Sequence, residues 1–322
     1  MTVTTEQAAR FRETFDRMVA NVNAAILGKD FVVRLAFTCL LSEGHLLLED
    51  FPGTGKTSLA KALANTIKGS HARVQFTPDL LPSDVTGVQV YDQSTRRFEF
   101  IPGPIFHSIV LADEINRASP KTQSALLEVM EEGHVTVDGV EHPVGQPFMV
   151  IATQNPIEQA GTYPLPEAQL DRFLMKTGLD YPDHDAMVAL LQDSANRDRA
   201  KDVQPAIVAG ALGPLSRLAD HVTVRPETLG YVSRLAEASR RHKHVKLGVS
   251  ARGCLAYVRC AKTWAIAHGR TYVSPDDIKL LARPILGHRI LVNSEAQFDG
   301  VTVDQVLSEV FYEIAPPVER AA

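Results

Sequence analysis

His45 to Ile67 reads HLLLEDFPGTGKTSLAKALANTI, and this stretch decides the fold. A short apolar run, HLLLE, leads into Pro52-Gly53-Thr54-Gly55-Lys56-Thr57, and from Lys56 the apolar residues recur at helical spacing. Strand, glycine-rich turn and helix in that order form the setting of a phosphate-binding loop. Its glycines let backbone N–H groups turn inward without a side chain in the way, and the helix aims its positive dipole end at the phosphates. Lys56 is expected on the β- and γ-phosphates of ATP and Thr57 on Mg²⁺, with Pro52, Gly53, Thr54, Gly55 and Ser58 completing the loop. The full pattern has glycine where this chain has Asp50.

Four more apolar runs predict strands: Ala72–Thr77, Ser108–Asp113, Phe148–Thr153 and Phe173–Leu179. Continuous apolar runs bounded by polar turns fit a parallel sheet covered on both faces, here of five strands, in an α/β fold. Lys121–Glu132 predicts a helix with Ala125, Leu126, Val129 and Met130 on one face. Gly87–Ile101 and His134–Val144 alternate instead and predict two hairpins, the second turning at Asp138-Gly139.

Asp113-Glu114 closes the strand SIVLAD. One carboxylate for Mg²⁺ (Asp113) and one to polarise a water (Glu114) is a hydrolase arrangement, because phosphoryl transfer needs mainly positioning and charge stabilisation. Asn155 ends the next run, FMVIATQN, where an amide would hold the same water.

Beyond about Ala186 the pattern is helical: Ala206–Leu218, Pro226–Arg240, Ala251–His268 and Pro275–Leu286, the last opened by Ser274-Pro275. The polar stretch Asp193–Asp202 separates an α/β core, 1–190, from a small all-α lid, 203–322. Met1–Thr5 and Pro316–Ala322 read as mobile ends.

The 322 residues are 45% hydrophobic and 22% charged, which excludes a disordered chain or a disulfide scaffold. A net charge of −5 counts against nucleic acid as partner. No apolar run is long enough for a membrane span. Cys39, Cys254 and Cys260 have no metal-ligand or redox spacing, so a reduced, cytoplasmic protein with buried thiols is expected. The basic run Arg240–His244 reads as a solvated helix end, and Glu128, Glu131 and Glu132 as an exposed helix face.

LEDFPGTGKTSLAKALA, ADEINRASPKTQSALLEVMEEGHVTVDG, IATQNPIEQAGTYPLPEAQLDRFLMK and GVSARGCLAY resemble the MoxR family of AAA+ ATPases, from about Ile26 to Leu286. The resemblance implies that Arg172, in QLDRF, is an arginine finger acting on a neighbouring subunit. It implies that Arg252 is the lid residue that senses the nucleotide, and that Gly28-Lys29 line the adenine. Ser250 also reads as an N-cap, which puts Arg252 in a first helical turn where the dipole disfavours a cation, as a phosphate-facing arginine would tolerate. The expected nucleotide position is between core and lid. The resemblance further implies a homo-oligomeric ring, a hexamer, whose two hairpins move a protein client. Such proteins mature protein complexes, often inserting a metal or cofactor, with a partner bearing a von Willebrand factor A domain. Rival readings are a nucleic-acid motor, a magnesium-chelatase-type motor subunit, a small-molecule kinase and a non-catalytic scaffold.

Overall fold

The computed structural model describes residues 2–155, 161–193, 195–196 and 198–317. The chain opens with α1 (Thr5–Asn23) and α2 (Asp30–Leu41), then β1 (Leu46–Glu49), α3 (Lys56–Thr66), β2 (His71–Gln75) and the short α4 (Pro82–Thr86). A hairpin of β3 (Gly87–Asp92) and β4 (Arg97–Pro102) precedes β5 (Ile109–Asp113) and α5 (Pro120–Glu132). A second hairpin, β6 (His134–Val137) and β7 (Val140–Pro143), leads to β8 (Met149–Gln154), α6 (Glu167–Leu170), β9 (Met175–Thr177) and α7 (His184–Gln192). The helical part comprises α8 (Leu212–Asp220), α9 (Pro226–Arg241), α10 (Ala251–Ala267), α11 (Pro275–Leu286), α12 (Ser294–Phe298) and α13 (Val303–Glu313). It also carries an unanticipated antiparallel pair, β10 (Val245–Leu247) with β11 (Leu291–Val292).

The five expected strands form one parallel sheet in the order β2-β5-β8-β1-β9. Leu46 and Leu48 pack into one buried cluster and Leu47 into the other, so β1 is covered on both faces. The in-register pairs Gln75–Asp113 and Glu49–Gln154 align the carboxyl ends of the strands along one edge of the sheet. Ligands of open α/β sheets bind in the crevice at that edge.

Several local signals set the elements. Ser119 caps α5, Pro120 occupies its first turn, and Gly133 ends it in a left-handed conformation. Asp138 and Gly139, both at positive φ, make the tight turn of the second hairpin. The two hairpins touch: the rings of Phe100 on β4 and His142 on β7 stack with centroids 3.9 Å apart.

Two expectations need correction. Thr4 caps α1 and Val3 is buried, so residues 3–5 are packed rather than mobile, while Met1 lies outside the described residues. At the other end, Val318–Ala322 lie outside the described residues. The helix expected from Ala206 begins only at Leu212, which places Pro214 in its first turn, where a missing N–H costs least. The polar stretch before it is tied to α3: Lys61 Nζ pairs with Asp198 at 2.5 Å, Asn65 Nδ2 donates to the Ala200 carbonyl at 2.8 Å, and Ala200 is buried. Apolar residues of α1 and α2 share one buried cluster with α9, α10 and α11, so the N-terminal helices pack on the lid as well as on the sheet.

Candidate active site

The loop between β1 and α3 lies at the carboxyl edge of the sheet. Gly53 and Gly55 have φ of 81° and 98°, and nothing lies within 4 Å of where a Cβ would stand on either. That open, left-handed backbone is the form a phosphate cradle needs. Gly55 caps α3 without a side chain, which leaves the helix N-terminus open to an anion. Lys56 Nζ folds back onto the carbonyls of Phe51 (2.9 Å) and Asp50 (3.2 Å), while Thr57 is exposed and Ser58 half-buried.

Asp50, the departure from the glycine pattern, is buried. Its Oδ1 accepts from the Phe51 amide at 2.8 Å, and its Oδ2 from the amides of Leu179 (2.8 Å) and Asp180 (3.2 Å). The carboxylate therefore fastens the base of the loop to the segment following β9. Tyr181 in that segment stacks on Phe51 with centroids 5.8 Å apart, and the Lys29 Nζ donates to the Tyr181 carbonyl at 2.8 Å. Gly28, at φ 71°, packs so closely on Ala186 that a Cβ would lie 3.0 Å from that side chain. Gly28 and Lys29 are thus brought beside the loop through Tyr181.

Asp113 and Glu114 stand at the tip of β5. Thr153, buried on β8, joins them: its Oγ1 donates to Asp113 Oδ1 at 2.7 Å and accepts from the Glu114 amide at 2.8 Å. Arg73 on β2 donates to Asp113 Oδ2 at 2.6 Å. Glu114, at φ 57°, has its Oε2 held by Gln75 Nε2 at 2.8 Å and Arg117 Nη1 at 2.9 Å. Asn155 follows β8 directly, next to the Gln154 carbonyl that accepts from the Asp50 amide at 3.0 Å. Spacing alone had no means of finding Thr153, Gln75 and Arg73, whose polar groups sit in ordinary strand positions.

Among the described residues no group of three or more His, Cys, Asp or Glu is arranged to hold a metal ion. Mg²⁺ does not need one, because it is commonly held by one or two carboxylates plus substrate phosphates. An aspartate at the strand tip and a hydroxyl at the open start of α3 are that kind of donor set.

Arg172 and Arg252 lie elsewhere. Arg172 precedes β9, whose start is level with the start of β1 (Leu46 opposite Met175). By strand rise alone the two ends of β1 with their flanking residues are on the order of 15–20 Å apart. Arg172 Nε pairs with Glu131 Oε2 at 3.0 Å, and Arg252 Nη1 with Glu131 Oε1 at 3.1 Å. Glu131, expected on a solvated helix face, therefore joins the two. All three line a cavity of about 530 Å³ with Gly44, His45 and Leu255. His45 is fully buried; Met130 O lies 3.0 Å from its Nε2, and its Nδ1 accepts from the Val150 amide at 2.9 Å. Burial pushes its pKa down to about 4, so the ring is neutral.

Between core and lid, where the nucleotide position is expected, Glu49, next to Asp50 at the base of the loop, faces lid residues. A cavity of about 640 Å³ does lie there, lined by Phe31, Glu49, Asp180 and Arg283, but none of residues 50–57 nor Arg252 is in its wall. Arg252 stands at the opposite end of the sheet from its own P-loop.

Residues 45–175 match the ATPase family associated with various cellular activities (AAA), and residues 237–310 match the AAA lid domain. Chaperone MoxR1 of Mycobacterium tuberculosis is 37% identical over 96% of this chain and 84% of its own length. The chain belongs to the MoxR family of AAA+ ATPases. As a MoxR-family AAA+ protein it binds nucleotide and hydrolyses ATP. The uncharacterised protein YeaC of Bacillus subtilis is 46% identical over 95% of this chain and 96% of its own. A solved structure from Cytophaga hutchinsonii, described as a candidate ATPase, superposes with a TM-score of 0.91 at 35% identity, covering 97% of this chain and 98% of that one. Among the described residues of this MoxR-family chain no helix is long and apolar enough to cross a membrane.

Proposed function

We propose that this protein works as a head-to-tail ring of identical copies in the cytoplasm, spending ATP to remodel or mature protein complexes. One observation carries the reading: the P-loop with Asp113 and Glu114 occupies one end of the sheet, and Arg172 with Arg252 the other. A complete site then needs two copies, and a heterologous contact that closes makes a ring, here taken as a hexamer.

In that arrangement residues 52–58 hold the phosphates of ATP, and Gly28 and Lys29 border the base. Thr57 and Asp113 would hold Mg²⁺, which when bound offsets the negative charge on the phosphate oxygens. Glu114 accepts the proton of the attacking water through its oxygen not engaged by Gln75 and Arg117. Asn155 fixes that water's position. The neighbour's Arg172 and Arg252 stabilise the charge that develops, a contribution worth roughly 10³- to 10⁵-fold for an arginine finger. Residues 1–190 act as the motor core and 203–322 as its lid.

The chaperone name of the mycobacterial relative supports a protein client. So do the exposed Val88, Val90, Tyr91, Phe98 and Ile101 of the first hairpin, because a patch of apolar side chains in water marks a contact surface. Insertion of a metal or cofactor with a von Willebrand factor A domain partner is the finer form of this proposal.

Mixing two inactive variants tests it. Glu114→Gln keeps an intact arginine end and Arg172→Ala keeps an intact P-loop end. Equal mixing should recover turnover at about a quarter of the contacts, those that join the two good halves. No recovery on mixing refutes the two-copy site.

A further inference from the structure

Glu131 is the last-turn acid of α5 and the meeting point of two arginines from distant parts of the chain. Arg172 reaches it from the segment before β9, and Arg252 from α10, 121 residues away in sequence. Each carboxylate oxygen takes one arginine, at 3.0 and 3.1 Å. The closest approaches are made by Nε of Arg172 and Nη1 of Arg252, and each guanidinium fork carries further N–H donors that an anion can use. The three side chains are 29%, 49% and 36% exposed, so the cluster faces the cavity rather than the core.

The surroundings hold this geometry. Arg289, buried, donates to Asp171 Oδ1 at 2.6 Å and to the carbonyls of Asp171 (3.3 Å), Phe173 (2.7 Å) and Leu174 (3.2 Å), so the backbone on both sides of Arg172 is clamped by the lid. Ser250, the cap of α10, donates to Asp171 Oδ2 at 3.2 Å. On the other side His45 holds the Met130 carbonyl next to Glu131. Two cations placed this close repel each other, and a carboxylate between them removes that repulsion and fixes their separation.

We propose that Glu131 is a positioning residue that sets Arg172 of the core and Arg252 of the lid as one preorganised receptor for the triphosphate bound to a neighbouring copy. The proposal rests on the two-copy reading above. Glu131 touches no substrate atom itself; it aims the two groups that do. Misplacing a stabilising charge by an ångström lowers turnover by roughly 10- to 100-fold without a comparable effect on ground-state binding.

The test uses the full-length chain with Glu131→Ala and Glu131→Gln. The expected result is kcat lowered 10- to 100-fold, an unchanged KM for ATP, and unchanged assembly mass by light scattering. Glu131→Ala should regain turnover when mixed with Glu114→Gln, whose arginine end is intact. It should gain nothing when mixed with Arg172→Ala, because both are defective at the same end. Wild-type or raised kcat in both variants overturns the proposal, as does a lost assembly or a raised KM. Recovery on mixing with Arg172→Ala also overturns it, placing Glu131 in the P-loop half. If Glu114→Gln and Arg172→Ala themselves fail to complement, it is the two-copy reading that has failed.

Discussion

Gln75 Nε2 donates to Glu114 Oε2 at 2.8 Å across the tips of β2 and β5. The same oxygen accepts from Arg117 at 2.9 Å, so in the proposed reaction the other carboxylate oxygen is the one that meets water. Gln75→Leu removes one of the two anchors. The expected outcome is kcat down about tenfold with KM for ATP unchanged, as fits loss of orientation in a general base. Steady-state phosphate release checks it, and unaltered turnover would show that Arg117 suffices.

Asp50 holds the loop to the segment after β9 through three backbone N–H groups. Asp50→Gly restores the consensus glycine of the phosphate-loop pattern, yet it leaves those N–H groups in a buried site without their acceptor. A loss of roughly 2–4 kcal/mol in urea unfolding is expected, with a higher KM for ATP. A more stable variant would contradict this assignment.

His45 gives the protein an acid-sensitive step. Its folded pKa of about 4 lies below the ordinary 6.5, so the unfolded chain binds a proton first as pH falls. Stability from this group is complete above about pH 6.5 and shrinks between 6.5 and 4, by about 2 kcal/mol at pH 5. His288 is shifted in the same direction by burial and adds to the effect. Urea unfolding at pH 7.5 and 5 reads the loss, and His45→Gln should flatten the slope.

Leu255 is 74% exposed beside Arg252 and lines the cavity that holds both arginines. A bare leucine there suits a contact between copies. Leu255→Glu should lower the assembly mass in light scattering and reduce turnover most at low protein concentration. Its effect on monomer stability should stay within about 0.5 kcal/mol, as for other surface changes.

The strands, both hairpins, the P-loop and the acidic pair were legible because each is written in neighbouring residues: apolar runs, Asp138-Gly139, Gly53 and Gly55, and Asp113-Glu114 at a strand end. Partnerships across the fold were not. Asp50 meets the amide of Leu179 at 129 residues' separation, and Glu131 meets Arg252 at 121. No local period encodes such pairs, which exist only after the sheet and lid have packed. Arg252 shows the limit most clearly, since its place in a first helical turn was readable and the end of the sheet it faces was not.

The stacked rings of Phe100 and His142 yoke the two protrusions together. In the proposed remodelling cycle, a tug on either one would be shared by the other. The second protrusion hangs from Gly133, directly after the last turn of α5. In the proposed ring, strain arriving at its tip would be delivered to the helix end where Glu131 grips both arginines, a lever arm running straight into the trigger.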